Sequence, residues 1–378
     1  MGHNLKGNLN PSRLREATEP IPNSSEDTVM TIRITLAATL LTLAIPLSAT
    51  GQEEGAWTLE ARLVPAPTDV SSELHDAIAG APQPDAATQW GFIPEDDDGW
   101  RALQQGTGAV PLEGMGTLNG VSIEADEIGG VGVFRVTPDK VASAHANQLF
   151  LHVHGGGYVL GGGNASVSEA AQAAGIIGIR ALSIDYRMPP DAPFPAAVDD
   201  VITVYRHLLE ERSAGSIVIG GTSAGGGLAL AAVHKFIALG LDLPGAIYAG
   251  TPWADLTKTG DTLFTNQGLD RVLVSYDGLL DAAAELYADG HDLKDPLISP
   301  LYGDFEGFPP TYIVTGTRDM FLSDSARTHR KLRRAGVVAD LHVYEGFSHA
   351  EYLMVPTSPE AREVFVEMGA FLEDHLQP

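Results

Sequence analysis

The chain has 378 residues, a formal charge of −26 and no cysteine, with apolar side chains making up 44%. That apolar share supports a sizeable core and excludes global disorder. The acidic balance excludes a nucleic-acid partner, which needs clustered Lys and Arg. Zero Cys excludes disulfides, thiolate nucleophiles and metal-thiolate centres, and no other metal or cofactor signature is present.

Residues 1–29 are polar and without periodicity, and are read as a disordered or misassigned leader. Residues 30–51 follow with Arg33, an almost wholly apolar run Ile34–Leu47, Pro46 and small residues to Gly51. A run of fourteen residues falls short of the roughly 20 that a membrane span needs. The layout is that of a signal peptide, cleaved after Ala49 or Gly51. It predicts a secreted or periplasmic protein with no stable membrane span after processing.

Residues 52–120 carry two helical patches among many Pro, Gly and Asp, and are read as an N-terminal cap region. From 121 to 378 the pattern is regular. Strand-like runs occur at 121–124, 131–136, 148–153, 180–184, 216–219, 246–249, 311–314 and 340–344. From the third onward, helical stretches separate them, at 166–174, 195–212, 226–239, 323–335 and 359–375. The alternation predicts an α/β fold with a mostly parallel, doubly wound, eight-stranded sheet. An excursion at about 255–298, helical around 275–288, interrupts it and is read as a cap insertion. Ligands of such sheets sit beyond the C-terminal strand ends.

Four loops at those ends carry chemistry. Gly221-Thr-Ser-Ala-Gly225 follows a strand and opens a helix. A serine at such a sharp turn needs glycine neighbours, and the helix N-terminus behind it favours developing negative charge. His154-Gly-Gly-Gly157 ends another strand, and successive glycines can aim backbone N–H groups into a cavity. Its spacing fits no phosphate-binding glycine motif. Asp319 and His349 follow the last two strands, giving the chain order Ser, Asp, His that the α/β-hydrolase layout requires.

The stretches His154–Gly157, Asp185–Ala197, Gly221–Gly226, Asp295–Pro300, Gly316–Asp319 and Gly346–His349 resemble, in order and spacing, the hormone-sensitive-lipase-like esterases, also called bacterial lipolytic family IV. Thr222 departs from the Asp that most members carry before the serine, as a subset of the family does. The resemblance implies an α/β-hydrolase fold with a helical cap and a carboxylesterase acting on short-chain esters through an acyl-enzyme. It implies Ser223 as nucleophile, His349 as base and Asp319 as the acid that orients it. It places the N–H groups of Gly156, Gly157 and Ala224 in the oxyanion hole and gives His154 a supporting role. A small-molecule ester is the expected partner, and a homodimer through the exposed last strand is a further expectation.

Other triad chemistry (lactonase, amidase or deacetylase) and a non-catalytic binder on the same fold are the alternatives. The binder reading is disfavoured by His349. Asp324 is read as capping or loop support at a helix start, Asp199-Asp200 and Asp96-Asp97-Asp98 as solvated charges, and His152 as a satisfied sheet histidine. Trp253 is read as lining the acyl pocket or packing beneath the cap.

Overall fold

A computed structural model describes residues 56–58, 61–85 and 93–378. The leader over 1–29 and the signal peptide over 30–51 lie outside the described residues. The chain divides after Arg62, and every helix and strand described belongs to the second part, Leu63–Pro378. In chain order the strands are β1 (Val121–Ile128), β2 (Val131–Pro138), β3 (Leu149–Val153), β4 (Arg180–Asp185), β5 (Ile217–Thr222), β6 (Ala246–Gly250), β7 (Thr311–Gly316) and β8 (Ala339–Tyr344). The α-helices are α1 (Ser72–Ala79), α2 (Asp97–Gly108), α3 (Leu112–Asn119), α4 (Ser168–Ile177), α5 (Ala196–Glu211) and α6 (Ala224–Leu239), followed by α7 (Thr262–Thr265), α8 (Leu279–Ala288), α9 (Leu322–Arg334), α10 (Glu351–Met354) and α11 (Pro359–His375).

The eight strands form one sheet in the order β1-β2-β4-β3-β5-β6-β7-β8. The β1–β2 and β2–β4 pairs are antiparallel and the others parallel. Residues alternate between two cores. Leu149, Leu151, Val153, Ile217 and Ile219 face a layer built with α5, α6 and α9. Phe150, Val218, Tyr248 and Tyr312 face the opposite layer with α4 and α11. Both faces are covered, which is why the central strands read as continuous apolar runs. The chain leaves β3 toward β4 on one side and returns to β5 on the other. The C-terminal ends of β3 and β5 therefore flank the crevice where the winding reverses, the position at which such sheets hold ligands.

One difference from the sequence reading concerns the cap insertion. The helix expected over 275–288 starts only at Leu279, because Val274 and Gly278 have φ of 61° and 117°, incompatible with an α-helix. The described helices of 63–120 pack at different places. Helix α3 packs on α4 and β1, and Leu74 of α1 joins the core on the α11 side of the sheet. Helix α2 lies beside the turn at 163–167, where Gln104 donates to the carbonyl of Val159.

Candidate active site

Ser223 sits between β5 and α6 with φ 64° and ψ −126°. This is a strained conformation for a side-chain-bearing residue. It is held by its neighbours, since the Ser223 N–H donates to the Gly250 carbonyl at 2.8 Å and its own carbonyl accepts from Trp253 N at 3.0 Å. A Cβ at either Gly221 or Gly225 would collide with the carbonyl of Val153 at the end of β3. Glycine at both positions is what lets the two strand ends approach so closely.

The loop after β3 turns away through Gly156 and Gly157, with φ of 109° and 63°. A side chain on Gly156 would strike the backbone of Leu160. Among the described residues, nothing accepts a hydrogen bond from the N–H groups of Gly156, Gly157 or Ala224. The His154 ring stacks on Tyr186 at 3.9 Å and its Nδ1 donates to the Gly155 carbonyl at 2.7 Å. Complete burial pushes the His154 imidazole down to about 3, so it is neutral. Tyr158 leaves the loop to stack on Tyr287 of α8 at 4.2 Å, tying the glycine turn to the insertion.

Asp319 and His349 come from the loops after β7 and β8. His349 Nδ1 lies 3.2 Å from Asp319 Oδ1 and 3.0 Å from Thr251 Oγ1. The carboxylate is fixed in turn, accepting from the Thr315 hydroxyl at 2.7 Å and from Phe321 N at 2.8 Å. Phe321 meets the imidazole edge-to-face at 4.9 Å. Asp319 is wholly buried and His349 nearly so.

A cavity of about 320 Å³ joins these parts. Ser223, His349, Gly156 and Gly157 all line it, with Leu273, Leu279 and Ala283 of the insertion forming an apolar wall. Ala224 is not in the lining, being fully buried directly behind Ser223. No described residue of 63–120 lines it either. The Ser223 hydroxyl makes no hydrogen bond to a described residue, so its contact with the imidazole is open in this state. Catalytic hydrogen bonds commonly close only around substrate.

Behind the serine lies a buried polar network that sequence reasoning missed. Glu169 on α4 accepts from Thr222 N at 3.1 Å and from the Thr222 hydroxyl at 2.5 Å. The Tyr352 and Tyr248 hydroxyls gather on Thr222 Oγ1 at 2.6 and 3.1 Å. His152 is satisfied as expected, between Glu169 and Ser183.

Of the two roles read for Asp324 the structure shows loop support; its Oδ2 accepts from Ala254 and Asp255 N at the first turn of the insertion. Two expectations need correction. Asp200 is not a solvated charge but is buried against Arg187, whose side chain and N–H both donate to it. Asp96 caps α2 by accepting from Gly99 N, while Asp97 and Asp98 stay exposed beside Arg101. Trp253 is core, stacked on Phe321 at 5.5 Å and absent from the cavity lining.

Residues 150–353 match the family described as alpha/beta hydrolase fold. An acetyl-hydrolase of Streptomyces hygroscopicus is 34% identical over 226 residues, covering 60% of this chain and 75% of that protein. The crystal structure of esterase E25 superposes with a TM-score of 0.83 at 48% identity, over 85% of this chain and 99% of E25. An esterase from the bacterial hormone-sensitive lipase family gives 0.69 at 31% identity, over 81% and 99%.

Proposed function

The chain belongs to the alpha/beta hydrolase fold family, among the bacterial hormone-sensitive-lipase esterases, and as such we propose that it is a serine carboxylesterase working through Ser223, His349 and Asp319. The observation that carries the assignment is convergence. Three loops separated by 96 and 30 residues bring a strained serine and a carboxylate-bound imidazole to one cavity that also exposes Gly156 and Gly157.

In this reading Ser223 attacks the ester carbonyl while His349 Nε2 takes its proton. Asp319, on Nδ1, holds the required tautomer and stabilises the imidazolium. The unused N–H groups of Gly156, Gly157 and Ala224 receive the oxyanion, each such donor contributing about 2.7–4 kcal/mol to the transition state. His349 returns the proton to the leaving alcohol, and water then cleaves the acyl-enzyme by the reverse sequence. Neutral, stacked His154 holds the glycine turn. The small apolar cavity favours short acyl chains, in keeping with the name acetyl-hydrolase carried by the Streptomyces relative. The apolar run Ile34–Leu47 supports export from the cytoplasm.

The test is hydrolysis of nitrophenyl esters of increasing acyl length by the wild type and Ser223→Ala. The reading requires the wild type to prefer short chains and the variant to lose at least about a thousandfold in kcat.

A further inference from the structure

Asp270 lies in the cap insertion, yet its carboxylate ends among the loops of the acid and the base. It is wholly buried. Oδ1 accepts from Val272 N at 2.9 Å and Leu273 N at 3.1 Å, closing the turn that puts Val272 and Leu273 into the cavity wall. Oδ2 accepts from Met320 N at 2.9 Å, one residue after Asp319, and from His349 N at 3.3 Å. One carboxylate thus gathers four backbone N–H groups from three chain segments, all of them at the proposed site.

We propose that Asp270 is a positioning residue, a second carboxylate that holds the loops of Asp319 and His349 in register and stabilises the imidazolium formed during catalysis. This rests on the reading of His349 as the base. A carboxylate accepting several N–H bonds has its anionic form favoured by them. The opposing effects are larger here: burial first, then the Asp319 charge, raise the Asp270 carboxyl to about 6. A positive charge on His349 works the other way and favours the anion. The charged groups around the pair are Asp319 from the β7 loop, His349 from the β8 loop, and Arg271, which is ion-paired with buried Glu351 of α10. The same segment is pinned to the base loop again where Arg271 N donates to Ser348 Oγ at 3.2 Å. The cap wall and the general base are in this way joined through one side chain.

The experiment compares the pH dependence of nitrophenyl butyrate hydrolysis for the full-length wild type, Asp270→Asn and Asp270→Ser, with Ser223→Ala as control. The serine hydroxyl can still accept one N–H of the 270–273 turn, so this variant guards against misfolding of the asparagine one. Neutralising Asp270 removes a partner of the imidazolium. The acidic limb should therefore move to lower pH by roughly half to one unit. The plateau kcat should fall about tenfold, with KM changed less than about twofold. A purely structural residue would lower activity without moving the limb, and an unmoved limb in folded variants overturns the inference. So does failure of both variants to fold. Activity retained by Ser223→Ala would instead refute the serine-esterase reading, whatever the Asp270 variants do.

Discussion

Glu169 and Thr222 meet through two hydrogen bonds, one to the backbone N–H and one to the hydroxyl, immediately before Ser223. Position 222 carries no charge of its own, and α4 brings a carboxylate to it from 53 residues away. The buried Thr222 N–H would be orphaned without it, at a cost of about 1–3 kcal/mol. Glu169→Leu is therefore expected to lower the melting temperature by several degrees and kcat at least about tenfold. Glu169→Gln, which can still accept the Thr222 N–H, should keep most of both. Thermal unfolding monitored by circular dichroism, with kcat on the same samples, checks this; a fully active leucine variant would contradict it.

His349 Nδ1 has two oxygen neighbours, but only Asp319 offers a charge to an imidazolium. Asp319→Asn should cost about 10³–10⁴ in kcat, because the amide favours the wrong tautomer. Thr251→Val removes a neutral bond and should cost less than about tenfold. Steady-state kinetics of the two variants rank the partners, and equal losses would show that the carboxylate charge is not what matters.

The pH dependence of folding follows from His154. Burial holds its folded pKa at about 3, below the ordinary value of 6.5. Between those values the unfolded chain binds the extra proton, so stability is present above about 6.5 and is lost as pH falls toward 3, by up to about 1.4 kcal/mol per pH unit. Urea unfolding of the wild type and His154→Gln at about pH 7 and about pH 4.5 isolates this contribution from that of other groups. The wild type should lose more stability than the variant on acidification, and identical losses would contradict the assignment.

What could be read from the chain alone follows the range of the interactions involved. Ser223 and the 154–157 loop were legible because close backbone approach and positive φ demand glycine at fixed local offsets, as at Gly221, Gly225 and Gly156. The strands were legible because burial on both faces leaves runs such as Leu149–Val153. Glu169 and Asp270 left no such trace. Each is one acid among 49, and its meaning arises only when folding brings partners 53 or 79 residues distant against it. Asp200 was misread for the same reason, since Arg187 closes on it across a turn and 13 residues. The late start of α8 was set by backbone conformation at Val274 and Gly278, which apolar periodicity does not register.

The most direct test of the central claim is covalent labelling of the full-length protein with a fluorophosphonate probe, with the modified residue identified by peptide mass spectrometry. The account predicts one label, on Ser223, with hydrolysis abolished in step with labelling and neither seen in Ser223→Ala. Labelling of a different serine, or an active wild type that the probe leaves unmodified, would contradict it.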